Sequence, residues 1–330
     1  MGGRLALSYV LPLRSTQVRG DLDEYLEALC ELVDVVVVDG SAPAVFEAHE
    51  RRWPKQVRHV AVDCDRVTPM GKVGAVLTGL EQAASDFVVV ADDDVRWDAG
   101  LLAEAARRLR GVDLIRPQNC FRPVPWHARW DTGRILINRA LDGDWPGTLV
   151  IDRRALGRTG GYDGGALFEN LELVRTIKAS GGTELVARDL FVPRTPPTVA
   201  QFFDQRVRQA YDEFARPWRL LVNLGIGPTV ILGGRRAAFG VALSSVALAE
   251  VGRRRAGGRA VFGPTAALWA PCWVAERAVT SWLALLSRLR YGGVRYRGTV
   301  LRKAATPMRE LRRAYGDRAT AVNGVGASWR

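Results

Sequence analysis

The chain is poor in the residues that build staples and soft-metal sites. Its four cysteines, Cys30, Cys64, Cys120 and Cys272, lie far apart with no close pair, so neither a disulfide framework nor a thiolate zinc site is indicated. A reducing compartment suits such a chain. Three scattered histidines weaken a histidine–metal reading. A phosphate-binding P-loop is also missing: Met70-Gly71-Lys72 has no glycine loop before it. The opening "MGGRLALSYVLPLR" has a short apolar run without a small-residue cleavage pattern, so it reads as a strand and export is not expected. No apolar run reaches the roughly 20 clean residues of a spanning helix.

What is abundant is arginine, 43 residues against four lysines, and it is unevenly placed. Residues 1–200 hold 25 basic and 28 acidic residues, whereas residues 201–330 hold 22 and 7. So sharp a break indicates two parts facing different surroundings. The expected organisation is a domain over 1–217 followed by a basic, apolar helical region over 218–330.

In the first part, strand-like and helix-like segments alternate. "LALSYVLPL", "VDVVVVDGS", "VRHVAVD" and "DFVVVADDD" read as strands, and 21–32, 42–53, 70–84 and 98–110 as helices. β-Branched runs joined by helical crossovers predict an α/β fold with a mostly parallel sheet covered on both faces. Residues 118–134, rich in Pro, Trp and Arg, read as irregular, and 167–182 as a helix with a glycine stop. Beyond 217, apolar segments at 220–234, 237–249, 260–275 and 278–287 are punctuated by arginines. Helices lying at a bilayer, with Trp218, Trp269, Trp273, Trp282 and the arginines at headgroup depth, match this texture. A helical domain packed on the first is the alternative.

The chemistry concentrates in aspartates. Asp39, Asp63 and the triplet Asp92, Asp93 and Asp94 all follow predicted strands. In open α/β sheets ligands gather beyond the carboxyl ends of the strands. Adjacent carboxylates need a neutralising cation, and hard divalent ions prefer such oxygen donors, often shared with phosphates. Mg²⁺ or Mn²⁺ on Asp92 and Asp94 is the expectation, with Asp93 directed away on an extended strand. Asp98 precedes a helix and is expected to cap it.

The ordered set "LSYVLPLR", "VVVVDGS", "GKVGAVLTGL", "VVVADDDVRW", "GTLVIDRRAL", "GGYD", "FENLEL" and "QRVRQ", over about residues 5–215, resembles the family 2 glycosyltransferases. The likeness is to the membrane-associated branch that includes ceramide glucosyltransferases and cellulose synthases. The resemblance implies a GT-A fold, a nucleoside-diphosphate (NDP) sugar donor, Mn²⁺ or Mg²⁺, and inversion at the anomeric carbon. It places Asp39 at the nucleotide base or ribose, Asp63 and Lys72 near the nucleotide, Asp93 on the sugar side, and the metal on Asp92 and Asp94. "QRVRQ" corresponds to the family's QxxRW element through Gln205 and Arg208, with Gln209 in place of tryptophan, and the resemblance puts that element beside the donor diphosphate and the acceptor channel. The usual Glu-Asp is Glu169-Asn170 here, so Glu169 is the first choice of base and Glu172 the second. Trp126, His127 and Trp130 are expected at an acceptor site. The expected partners are a donor, a lipid or saccharide acceptor and the cytoplasmic membrane face, not nucleic acid. A nucleotidyltransferase and a catalytically degenerate sugar-binding protein are the competing readings.

Overall fold

A computed structural model describes residues 4–321. In chain order the elements are β1 (Ser8–Leu13), α1 (Asp23–Cys30), β2 (Asp34–Asp39), α2 (Pro43–Arg52), β3 (Arg58–Ala61), α3 (Gly71–Gln82), β4 (Phe87–Ala91), α4 (Ala99–Leu109), β5 (Leu114–Phe121) and α5 (Trp126–Ala140). There follow β6 (Thr148–Asp152), α6 (Arg153–Gly157), α7 (Glu169–Ala179), β7 (Glu184–Arg194), α8 (Val199–Asp204), α9 (Arg206–Tyr211) and α10 (Pro217–Arg254). The last are α11 (Gly258–Val261), α12 (Ala270–Tyr291), β8 (Val294–Tyr296), β9 (Thr299–Leu301) and α13 (Met308–Ala321).

Seven strands form one sheet in the order β3-β2-β1-β4-β6-β5-β7. β3, β2, β1 and β4 are parallel, and β6 pairs antiparallel with both β4 and β5. The parallel strands are as apolar as the sequence demands: Val35, Val36, Val37 and Val38 of β2 are all fully buried. Each such side chain contributes about 1.5–3 kcal/mol of transfer free energy. Because β1, β2 and β4 run the same way, their carboxyl ends bring the 14–19 loop, Asp39 and Asp92–Asp94 to one edge. β7 was not expected; "ELVARDLFVPR" mixes charges and a proline with its apolar residues, which hides a strand.

The chain divides into two compact units, one of 1–117, 146–187 and 306–330, the other of 118–145 and 188–305. This division differs from the expected boundary at 217/218. The physical reason is α5, read from the sequence as irregular. It is a 15-residue helix whose Ile135, Leu136 and Ile137 join Ala249, Ala270 and Trp273 in the core of the second unit.

The apolar segments 220–234 and 237–249 both lie in α10, broken at Gly234, whose φ of 56° and ψ of −146° suit only glycine. By length and composition, Pro217–Val261 is apolar enough to cross a membrane, and only 6% of its most apolar window is buried. Ile231 and Leu232, just before the break, are 81% and 89% exposed, and Arg235 and Arg236 just after it are also exposed.

Candidate active site

The three aspartates form a turn held by the sheet itself. The Asp92 N–H donates to Gly147 O (2.7 Å), extending the β4–β6 ladder by one bond, and the Val95 N–H returns to Asp92 O (3.1 Å). Two cations supplied by distant segments answer the crowding of negative charge. Lys72, in the first turn of α3, places Nζ 2.5 Å from Asp92 Oδ1 and 2.7 Å from Glu169 Oε1. Arg19, in the loop after β1, pairs with Asp93 and also with Asp21 at 2.7 Å. Arg96, the nearest basic residue in sequence, donates instead to the Asp93 and Val95 carbonyls.

Lys72 is therefore central rather than peripheral. Burial pulls its pKa down, but Asp92 and Glu169 outweigh that and hold it above its ordinary value, so it remains a cation. Beside this triad stands Tyr162, whose phenol is pushed up by burial first and by the Glu169 charge next. Its loop, "GGYDGG", fixes α3: Gly164 O accepts the Met70 N–H at 2.8 Å. A Cβ at Gly164 would lie 2.4 Å from the Thr68 side chain, so only glycine permits this approach. Tyr162 appeared in the sequence only as part of the GGYD motif, with no role attached.

Asp39 does not stand open to a nucleotide. It is 2% exposed; Oδ1 accepts the Ser41 N–H (2.8 Å), while Oδ2 meets His49 Nδ1 (2.7 Å) and His59 Nε2 (3.3 Å). Burial raises the Asp39 pKa, yet the hydrogen bonds from His59, Ser41 and His49 prevail and lower it to about 2. His49 Nε2 in turn accepts the Arg19 N–H (3.0 Å). Asp39, His49 and His59 lie within 4.8 Å of one another, close enough for a metal ion. Both His49 nitrogens are engaged, however, Nδ1 donating to Asp39 and Nε2 accepting from Arg19. The cluster is thus a buried hydrogen-bond chain that sets the backbone of Arg19, whose guanidinium holds Asp93. In this chain the Asp39 carboxylate is committed to these partners, whereas the resemblance places it at the base or ribose.

Asp63 is exposed and accepts the Asp65 N–H (2.9 Å), capping the short turn 64–66 before α3. Glu169 opens α7 with Asn170 tied to Pro146 O (2.9 Å). Glu172, the second base expected, is fully buried, and its Oε2 accepts the Thr306 N–H at 2.6 Å. It anchors the segment leading into α13. Asp98 caps α4 as expected, through Leu101 N at 2.8 Å.

Gln205 and Arg208 fall in the second unit. Arg208 lies over the Tyr296 ring at 5.1 Å, and Gln205 Oε1 accepts from Gln209 Nε2 at 3.4 Å. The buried arginine of "QRVRQ" is Arg206: it donates to Phe202 O (2.8 Å), Asp131 (3.1 Å) and Glu276 (3.3 Å). Burial raises the Asp131 pKa, but Arg134 and Arg206 overcome it and hold the carboxyl below its ordinary value. His127 is buried, bonded to Pro197 O at 2.8 Å, while Trp126 and Trp130 gather around Phe202 at ring distances of 6.0 and 5.8 Å. Trp126 and Phe203 stay about half exposed.

No protein-family model and no curated protein matches the chain. Among solved structures it is similar to the mannosyltransferase PcManGT from Pyrobaculum calidifontis, in complex with GDP-Man and Mn²⁺. The identity is 17%, over 87% of this chain and 88% of that chain, with a TM-score of 0.53. Glucosyl-3-phosphoglycerate synthase from Mycobacterium tuberculosis, in complex with Mn²⁺, UDP and phosphoglyceric acid, matches at 18% identity over 60% of this chain and 73% of that one, with a TM-score of 0.39. At such identity the likeness to the mannosyltransferase is one of architecture, and the chain has the α/β fold with a mainly parallel central sheet found in GT-A proteins.

Proposed function

We propose that this chain is an inverting glycosyltransferase that moves a sugar from an NDP-sugar to a hydroxyl of a lipid, lipid-linked or saccharide acceptor. The observation that carries the reading is the Lys72–Asp92–Glu169 triad at the carboxyl edge of the sheet. It joins an acidic turn suited to a cation, a permanent ammonium and a candidate base in one place.

The residues fit a divalent ion. Asp92 and Asp94 offer only carboxylate oxygens, the donor type that Mg²⁺ and Mn²⁺ prefer. Asp92 and Asp94 would hold such an ion, which would supply positive charge to offset that of the donor diphosphate. Lys72 adds a compact positive charge at the same edge. Arg19 keeps Asp93 fixed on the sugar side, and the Asp39–His49 chain keeps Arg19 fixed. Glu169 is the base: it takes the acceptor hydroxyl proton as the new bond to the anomeric carbon forms. The bond from that carbon to the diphosphate breaks on the opposite face, releasing the nucleoside diphosphate with inversion. Asp63 is kept for the nucleotide end, and Gln205 and Arg208 for the role the family resemblance gives them.

Membrane attachment belongs to the same reading. The exposed apolar residues of α10 and α12, Ile231, Leu232, Phe239 and Leu289 among them, support it. So does a 410 Å³ cavity between these helices lined wholly by apolar residues and glycine, including Val230, Ile231, Val241 and Val274. With these faces in acyl chains and the arginines at headgroup depth, the proposed position of the protein is the cytoplasmic face of the membrane.

The test is a screen of radiolabelled NDP-sugars with Mn²⁺ against lipid extracts and oligosaccharides, using the purified full chain. A labelled acceptor with release of nucleoside diphosphate is expected, abolished in Asp94→Ala at an unchanged melting temperature. Release of pyrophosphate, or full turnover by Asp94→Ala, contradicts the proposal.

A further inference from the structure

A second cavity, of 260 Å³, lies wholly within the second unit, between the end of β5, one face of α5 and the 261–269 segment. Its walls are mostly apolar, with Val124, Phe262, Ala266 and Trp269 beside Thr132 and Thr265. Two arginines, Arg122 and Arg129, line it as well. Neither forms an ion pair among the described residues, although Arg134 and Arg206 nearby in the same unit both pair with Asp131. Backbone carbonyls hold them in place instead. Arg122 donates through Nη1 to Phe121 O (3.0 Å) and through Nη2 to Val261 O (3.2 Å), and Arg129 Nε donates to Val124 O (3.3 Å). A guanidinium has five N–H donors, so each head is oriented while keeping donors to offer. Leu268, adjacent to Trp269, is 61% exposed, so apolar surface continues beside the cavity.

We propose that this cavity binds a single-chain anionic amphiphile, its alkyl segment against Phe262 and Trp269 and its headgroup on Arg122 and Arg129. Two fixed guanidinium groups without carboxylate partners complement a phosphate or carboxylate, and the apolar walls complement a hydrocarbon chain. The volume lies below the about 300–1,000 Å³ of drug-sized ligand sites, which suits a headgroup and part of an alkyl chain rather than a whole nucleotide-sugar. The Trp126–Trp130 face of the same helix is engaged with Phe202 and is a different surface. The proposal does not rest on the donor-site reading.

Calorimetric titration of the full chain tests it, with dodecyl phosphate, dodecanoate, dodecanol, dodecyltrimethylammonium and inorganic phosphate, each below micelle formation. At least one of the two anionic amphiphiles binds at least tenfold tighter than dodecanol or the cation, and inorganic phosphate alone binds weakest. Which of the two binds tighter identifies the headgroup. Arg122→Ala with Arg129→Ala removes that tenfold preference, and Ala266→Phe weakens binding of every alkyl probe. The melting temperature and Mn²⁺–nucleotide binding are measured on the same samples and stay unchanged in the double arginine variant. Equal binding of dodecanol and the anions, or an unaltered double arginine variant, overturns the proposal. A protein that binds the amphiphile but no nucleotide retains this site and loses the donor site.

Discussion

Replacing Lys72 by methionine keeps the length and removes the charge, leaving Asp92 and Glu169 facing each other across the space the ammonium filled. The side chains of Lys72, Asp92 and Glu169 are 18%, 23% and 14% exposed, so the triad is mostly but not wholly withdrawn from water. Stranding the partner of a fully buried pair costs about 3–5 kcal/mol; discounted for this exposure, Lys72→Met should cost about 2–4 kcal/mol. Over a chain of 330 residues that lowers the melting temperature by roughly 3–6 °C. Scanning calorimetry or denaturant unfolding reads it. Two further outcomes separate a charge effect from lost packing. Glu169→Gln placed on Lys72→Met should recover at least about 1 kcal/mol, because it removes one stranded charge. Mn²⁺ should raise the melting temperature of Lys72→Met more than that of the parent, because the divalent ion then supplies the missing positive charge. A change below about 0.5 kcal/mol, strict additivity with Glu169→Gln and no differential metal response would together refute the reasoning. Lys72 itself contributes no pH dependence near neutrality. Its folded pKa lies above the unfolded value, so its contribution is complete below about pH 10 and is lost only as pH rises through the folded value.

Other perturbations separate roles that the sequence leaves merged. Asp39 has its folded pKa lowered to about 2, so about 2 kcal/mol of stability present above pH 4 should vanish as pH falls to about 2; acid titration of Asp39→Asn should lack that dependence. Glu169→Gln should reduce turnover by about 10²–10⁴-fold, whereas Glu172→Gln should chiefly destabilise the fold and expose the segment before α13 to limited proteolysis. Arg206→Ala removes one of two arginines from Asp131, which keeps Arg134, and the nearer cation from Glu276, so it should cost about 1–3 kcal/mol, and Arg208→Ala less than about 1 kcal/mol, both measured by denaturant unfolding.

The parallel half of the sheet was legible because four apolar, largely β-branched runs each ended in a turn signal or an acid. The triplet at 92–94 was legible because three adjacent carboxylates at a strand end are costly and call for cations. What supplies those cations was not. Lys72 and Glu169 are 97 positions apart, and Arg19 and Asp93 are 74 apart; only the folded sheet edge brings them together. His49 and His59 looked scattered, yet α2 and β3 return both rings to Asp39. In "QRVRQ", spacing drew attention to Arg208, whereas burial falls on Arg206, whose partners Asp131 and Glu276 lie 75 and 70 residues away. α5 was obscured by Pro123 and Pro125, which end the preceding strand and sit just before the first helical residue, Trp126.

The most direct measurement of the central claim is electron paramagnetic resonance of Mn²⁺ titrated with the full chain in the presence of nucleoside diphosphate. The account predicts that the signal of free Mn²⁺ disappears with the parent protein and persists with Asp92→Asn/Asp94→Asn at an unchanged fold. Equal uptake of Mn²⁺ by the double variant would contradict it.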